Sequence, residues 1–181
     1  MTKDIIREIK SGNKEAFEDL YNKYADYALR VAFAVTRSNA NAADAVQETF
    51  IRINSNIDTF KDENPFDPWF YKILINECRR VLKINSIKNS SMDIMANDLY
   101  LSVNRTPKFE EYEDLYFAIE KLDEINRIPI ILKYLKGFSE KDISHILSLN
   151  INTVKSRLYK GRLKLKNFLK VFDEGWSDYE G

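Results

Sequence analysis

The sequence is poor in the residues that build disulfides and metal sites. Cys78 is its one cysteine and His145 its one histidine, which excludes an internal disulfide and leaves too few thiols and imidazoles for a zinc site. The sequence also lacks a glycine-rich phosphate loop, a nucleophile motif and a cluster of metal ligands. We therefore expect no metal, no cofactor, no catalytic residue and no small-molecule substrate, and a protein that is not an enzyme.

Long apolar runs and turn-forming residues are also scarce. No apolar run approaches the about 20 residues that a membrane span needs, and the N-terminus has no apolar segment of signal-peptide length. Only five glycines and four prolines interrupt the amphipathic stretches of this 181-residue chain, which favours an almost wholly helical fold. We expect an all-α protein of the cytoplasm.

Charge is balanced in sum but unevenly distributed. The chain has 28 basic and 28 acidic residues. Residues 151–170 carry seven bases and no acid, whereas residues 171–181 carry four acids and no base. A helix with bases alone suits nucleic acid, because Lys and Arg neutralise phosphates. The alternative is an ordinary amphipathic helix with a solvated polar face.

Residues 139–166, SEKDISHILSLNINTVKSRLYKGRLKLK, predict two short helices joined by a tight turn. Ser139 and Asp142 form a capping-box pattern that begins the first helix. The turn is expected at residues 148–150, after which an asparagine, Asn150 or Asn152, caps the basic second helix. Its apolar face comprises Val154, Leu158, Gly161 and Leu165. Such a helix-turn-helix places polar side chains of its second helix in the major groove of DNA.

Apolar residues at helical spacing predict further helices upstream, over residues 3–11, 14–36, 42–56 and 67–84. Residues 38–41 are expected to break the pattern, and residues 58–68 form a loop with two prolines. The polar stripe of the fourth helix comprises Lys72, Asn76, Arg79, Arg80 and Lys83. This stripe suits a nucleic-acid backbone, although an exposed helix face would have the same composition.

The chain divides into two helical parts. Residues 87–108 have lost the helical period and are expected to be a linker between residues 1–86 and residues 109–170. The second part begins with a helix over residues 109–122, followed by one over residues 127–136. In the latter, Asn126 is the expected cap and Pro129 is tolerated because it falls in the first turn. An acidic tail, residues 171–181, completes the chain.

These motifs resemble those of the extracytoplasmic-function (ECF) sigma factors, the small two-domain class of the sigma-70 family. AADAVQETFIRI, at residues 42–53, is similar to the helix with which these factors bind core RNA polymerase. PWFYKILINECRRVLK, at residues 68–83, is similar to their promoter −10 helix, and RIPIILKYLKGFSEKDISHILSLNINTVKSRLYKGRLKL, at residues 127–165, to their −35 helix-turn-helix. The resemblance covers residues 17–168.

The resemblance implies a role in transcription initiation and its regulation, without a reaction of the protein's own. It implies a region 2 helical bundle at residues 1–86 and a region 4 helix-turn-helix domain at residues 109–170. The expected partners are core RNA polymerase, double-stranded promoter DNA and its melted −10 strand, and an anti-sigma factor.

It also implies site residues, carried over by position. Core polymerase would contact Asp44, Gln47, Glu48 and Arg52. The −10 DNA would contact Lys72, Asn76, Arg79, Arg80 and Lys83, with Phe60 and Asn64 holding a flipped base. The −35 DNA would contact Asn152, Thr153, Lys155, Ser156, Arg157, Tyr159 and Lys160. Phe60 has an alternative interpretation as a core residue.

Two residues depart from the family pattern. Ser148 occupies the turn where the family usually has glycine, which costs stability if the backbone there is left-handed. Gly161 replaces a common alanine, which is expected to cost the second helix ~1 kcal/mol.

A second hypothesis is a stand-alone helix-turn-helix regulator that binds an operator without polymerase, its N-terminal helices serving dimerisation or sensing. The basic stripe over residues 72–83 favours the sigma factor, because such a regulator needs no second basic helix.

Overall fold

The computed structural model describes residues 2–89 and 118–177, with side chains for 2–86 and 118–168, and these residues form helices without strands. The helices are α1 (Thr2–Lys10), α2 (Lys14–Thr36), α3 (Asn39–Asn56), α4 (Phe66–Asn89), α5 (Glu124–Ile130), α6 (Glu140–Leu147) and α7 (Ile151–Ser177). A 3-10 turn, Ile57–Thr59, follows α3, and a π-helical turn, Ile131–Leu135, follows α5. The predicted all-α fold is confirmed. Among the described helices none combines the length and hydropathy that crossing a membrane would take.

The first four helices begin and end mostly where the sequence predicts. Asn13 caps α2 by accepting hydrogen bonds from the backbone N–H groups of Glu15 and Ala16. The predicted break between α2 and α3 is present but shorter than residues 38–41. It comprises Arg37 and Ser38, and Ser38 caps α3 by accepting from the N–H of Asn41. Capping by a serine hydroxyl satisfies a free N–H and lets the helix begin at once. Helix α4 runs to Asn89, beyond the predicted end at residue 84.

Helices α2, α3 and α4 pack around an aromatic core. Phe50 of α3 contacts Phe70 of α4, with ring centroids 5.6 Å apart, and Tyr24 of α2 lies 4.8 Å from Phe70. Each of these rings is almost fully buried, and burying a ring of this size stabilises the bundle by roughly 1.5–3 kcal/mol. The core fixes which faces of α3 and α4 point to solvent.

The start of α5 corrects one prediction. Asp123 caps the helix, accepting at 3.0 Å from the N–H of Asn126, so Asn126 lies inside the helix and is not its cap. Pro129 consequently falls in the second turn, where its missing N–H leaves the helix one hydrogen bond short. The helix continues only to Ile130 before the π-helical turn begins. An aspartate is a strong cap, and it overrode the preference of Pro129 for a first turn.

The helix-turn-helix is formed as predicted. The Ser139 hydroxyl accepts from the Asp142 N–H, and the Asp142 carboxylate accepts from the Ser139 N–H, both at 3.1 Å. Asn150 caps α7 by accepting from the N–H of Asn152 at 2.8 Å. Ser148 has a φ of 53°, the left-handed conformation in which serine costs more than glycine.

The two helical parts pack against each other, and their buried residues form one continuous core. Arg127 of α5 lies at the seam with only 6% of its surface exposed. Its guanidinium donates to the carbonyl oxygens of Val35 at 2.8 Å and Leu122 at 3.0 Å. Because burial disfavours the charged form, the pKa of Arg127 falls to about 10.

Candidate functional site

The outward side of α3 carries the residues predicted to bind a protein partner. The packing of Phe50 and Ile53 into the core points Asp44, Gln47 and Arg52 to solvent and leaves Glu48 half-buried. We call these four residues the α3 face. Ile51 is 50% exposed, and it lies three and four residues from Glu48 and Gln47, so it belongs to the same side of the helix. An exposed apolar side chain beside polar ones can form the apolar centre of a contact surface.

The α4 stripe, defined as Lys72, Asn76, Arg79, Arg80 and Lys83, lies opposite the buried side of its helix, as predicted. Lys72, Asn76 and Lys83 are exposed. Arg79 is half-buried and pairs with Glu124 of α5, its Nε 3.2 Å from the carboxylate oxygen. The stripe therefore combines exposed basic side chains with basic side chains that pair with acidic neighbours.

Glu77 lies between the α3 face and the α4 stripe and is not among the predicted site residues. Its side chain is 5% exposed, with Nε of Arg52 at 2.5 Å and Nε of Arg80 at 2.6 Å. Arg80 also lies 3.3 Å from the carboxylate of Glu48. Hydrogen bonding to Glu77 raises the pKa of Arg80 above its usual value. The three-residue spacing from Glu77 to Arg80 was a signal of this pair; the approach of Arg52 was not visible in the sequence.

The predicted base-holding residues have different environments. Phe60 is 5% exposed and packs its ring against Phe66 at 5.5 Å and Trp69 at 5.1 Å. Nζ of Lys10 in α1 donates to the Phe60 carbonyl oxygen at 2.6 Å and so holds the loop between α3 and α4. Asn64 is exposed. The Asn64 amide is therefore accessible to a nucleobase, whereas the Phe60 ring is part of the core.

The outward side of α7 presents the polar residues predicted to read DNA. Asn152, Lys155, Ser156, Tyr159 and Lys160 are exposed, while Thr153 and Arg157 are half-buried. These seven residues are the α7 face. Val154 and Leu158 are fully buried on the opposite side, which sets the rotation of the helix. The face has bases for phosphates together with amide and hydroxyl groups for base edges.

Helix α7 is held close to α5. A cavity of about 750 Å³ lies between them, with Asn152, Ser156 and Lys160 on one wall and Asp123 and Asn126 on the other. Across its end, Nζ of Lys164 donates to the Asp123 carboxylate at 2.5 Å and holds the pKa of that carboxyl below its usual value. The cap of α5 therefore also anchors the basic helix.

The chain matches known families in two segments. Residues 20–86 match the family model described as sigma-70 region 2, and residues 112–165 match the one described as sigma-70, region 4. The first segment contains the α3 face and the α4 stripe, and the second contains the α7 face.

Curated relatives match over nearly their whole length. The ECF RNA polymerase sigma-E factor of Haemophilus influenzae is 30% identical, with 90% of this chain and 92% of that protein covered. The ECF RNA polymerase sigma factor SigW of Bacillus subtilis is 28% identical, with 94% and 97% covered.

Solved structures share the fold. CnrH, solved in complex with the cytosolic domain of CnrY, aligns with a TM-score of 0.71 at 22% identity, covering 93% of this chain and 97% of its own. The sigma factor RpoE of Bartonella quintana, solved in complex with the anti-sigma factor NepR, aligns with a TM-score of 0.69 at 23% identity, covering 85% and 98%.

Proposed function

This chain belongs to the ECF RNA polymerase sigma factors of the sigma-70 family, and we propose that its three polar helix faces divide the work of that family between them. As a sigma factor it binds core RNA polymerase and directs it to promoters, where transcription begins. The stand-alone regulator is not favoured, because the relatives match over both helical parts and not over the helix-turn-helix alone.

The α3 face is the proposed contact with core polymerase. Its support is the combination of exposed Asp44 and Gln47 with exposed Ile51 on one side of the helix. Such a mixture fits an interface in which an apolar centre is surrounded by polar groups that set the register. The carboxylate of Asp44 would form an ion pair with a basic side chain of the polymerase.

The α4 stripe is the proposed contact with the −10 element, together with the loop that holds Phe60 and Asn64. Lys72 and Lys83 are exposed and lie eleven residues apart, about three helical turns, so they can follow a strand of phosphates. A flipped base would hydrogen-bond to Asn64. For Phe60 to form its wall, the ring would have to leave the aromatic core.

The α7 face is the proposed contact with double-stranded −35 DNA. Asn152 and Ser156 stand in the first two turns of α7, the part of a recognition helix that reaches base edges in the major groove. Lys155 and Lys160 would bind the flanking phosphates. The single observation that carries this assignment is that these polar side chains are exposed while Val154 and Leu158, on the other side of α7, are fully buried.

The remaining expectations follow from family membership. The family's role is a non-enzymatic one, since the phosphodiester chemistry belongs to the polymerase. We place the protein in the cytoplasm, where that polymerase acts. An anti-sigma factor is a further proposed partner, supported by the shared fold with RpoE of Bartonella quintana, which was solved with one.

Run-off transcription with sigma-free bacterial core polymerase and a library of promoter fragments tests this function. We expect transcripts that begin at a common sequence only when the protein is added. In the same assay, Asp44→Ala should lower the affinity for core polymerase, whereas Lys83→Ala should lower transcription at unchanged polymerase affinity. Transcription that never depends on the protein would overturn the proposal.

A further inference from the structure

Charged groups of α3 and α4 converge on one buried carboxylate, that of Glu77. Its two oxygens are divided between two arginines: Oε1 lies 2.5 Å from Nε of Arg52 and Oε2 lies 2.6 Å from Nε of Arg80. A carboxylate with 5% exposure is tolerated only when its charge is paired. The positions of both guanidinium groups are therefore set by the same side chain.

The two arginines belong to different surfaces. Arg52 is on the α3 face and Arg80 is in the α4 stripe, and Arg80 also reaches back to Glu48 of the α3 face at 3.3 Å. The four charges sum to zero, so the network is electrically balanced across both surfaces. Each arginine remains 40% exposed or more, and each contacts Glu77 through Nε. Its outer nitrogens can still donate to a partner.

We propose that Glu77 is a positioning residue that presents Arg52 to core polymerase and Arg80 to promoter DNA at the same time. The inference rests on the proposed function of the two surfaces. An arginine anchored through Nε has already lost much of its rotamer freedom, so its binding to a phosphate or carboxylate costs less. Glu77 therefore contributes to two interfaces without touching either partner.

Glu77→Gln is the informative substitution, because it keeps the size of the side chain and replaces one oxygen with an NH₂ donor. The amide can accept from one arginine only, and its NH₂ group faces the other. Neither arginine then keeps a charge-assisted hydrogen bond, because one faces the NH₂ group and the other bonds to a neutral oxygen. We therefore expect core-polymerase affinity and promoter affinity of the saturated holoenzyme each to fall about tenfold. Glu8→Gln on α1 removes the same charge away from both surfaces and should change neither affinity.

Double-mutant cycles separate positioning from simple loss of packing. In an Arg52→Ala background, Glu77→Gln should weaken polymerase binding no further, and in an Arg80→Ala background it should weaken promoter binding no further. Arg80→Lys is a second variant that keeps the charge without the Nε anchor, and it should behave like Arg80→Ala. Urea midpoints establish that each variant is folded.

The inference is overturned if Glu77→Gln leaves both affinities unchanged, or if its effects multiply fully with those of both arginine variants. These outcomes differ from a failure of the proposed function, in which the unsubstituted protein itself would not bind core polymerase or support run-off transcription.

Discussion

Replacing Gly161 by alanine is expected to destabilise the protein, although the helix containing it should gain. A Cβ atom built at Gly161 would lie 2.7 Å from Cγ1 and 3.0 Å from Cδ1 of Ile130. Carbon atoms in contact are normally 3.5–4.0 Å apart, so about 1 Å of movement is needed. Ile130 is 1% exposed, so its side chain is enclosed by neighbouring protein atoms and not by solvent. Overpacking of this kind costs ~1–3 kcal/mol.

Helix propensity acts in the opposite direction. Alanine is favoured over glycine by ~1 kcal/mol in a helix interior, so we expect Gly161→Ala to lower the free energy of unfolding by about 1 kcal/mol net. The assay is urea denaturation followed by circular dichroism at 222 nm, where α-helices have a strong negative band. Transcription from the −35 element should fall as well, because α7 would be displaced from α5.

A second substitution provides the control. Ile130→Ala removes the atoms that the new methyl group would strike, so Gly161→Ala in that background should stabilise the protein by ~1 kcal/mol. If Gly161→Ala stabilises the otherwise unchanged protein by the same amount, helix propensity alone decides, and the close approach of α5 to α7 is refuted.

Three further outcomes are expected. Ser148→Gly should raise the free energy of unfolding by ~0.5–1 kcal/mol, since φ is 53° there; an unchanged urea midpoint would contradict a strained turn. Burial raises the pKa of the Cys78 thiol from 9.0 to about 12. Between these two pH values only the unfolded state releases the proton, so the free energy of unfolding should fall by up to ~1.4 kcal/mol for each unit of rising pH. In Cys78→Ala it should fall less steeply. Glu124→Gln should release Arg79 to bind a phosphate, so the affinity for a promoter fragment should fall more steeply with salt concentration, by about one phosphate contact. Equilibrium titrations at several salt concentrations measure this slope, and an unchanged slope would refute the prediction.

The helices could be predicted because their signals are local. The capping box at Ser139 and Asp142, the asparagine cap of α7 and the apolar face around Leu158 each depend on residues within a few positions of one another. Cys78 is buried, and its place on the apolar side of α4 is a local signal of the same kind.

The predicted start of α5 was wrong because two local signals competed. Asp123 and Asn126 can both cap a helix, and Pro129 favoured the later start because it prefers the first turn. In the structure the Asp123 carboxylate also accepts from Lys164, 41 residues along the chain. This long-range ion pair adds to the value of the earlier cap and could not be seen in the local sequence.

Contacts between distant segments account for most of what was missed. Glu77 is buried where α3 packs against α4, and its pairing with Arg52 has no local signal in the sequence. Arg127, 92 residues from Val35, carries no sequence signal for a buried position. Likewise Gly161 predicted only a weaker helix, whereas the structure gives it a role in close packing. The residues of the three faces could be listed from the family resemblance, and their roles remain predictions.

Footprinting of one promoter fragment with the protein alone, with core polymerase alone and with both together shows whether promoter contact requires both proteins. We expect protection of the −35 and −10 elements, and permanganate-reactive bases in the −10 strand, only when both proteins are present. A tight, symmetric footprint by the protein alone, unchanged by polymerase, would contradict this expectation.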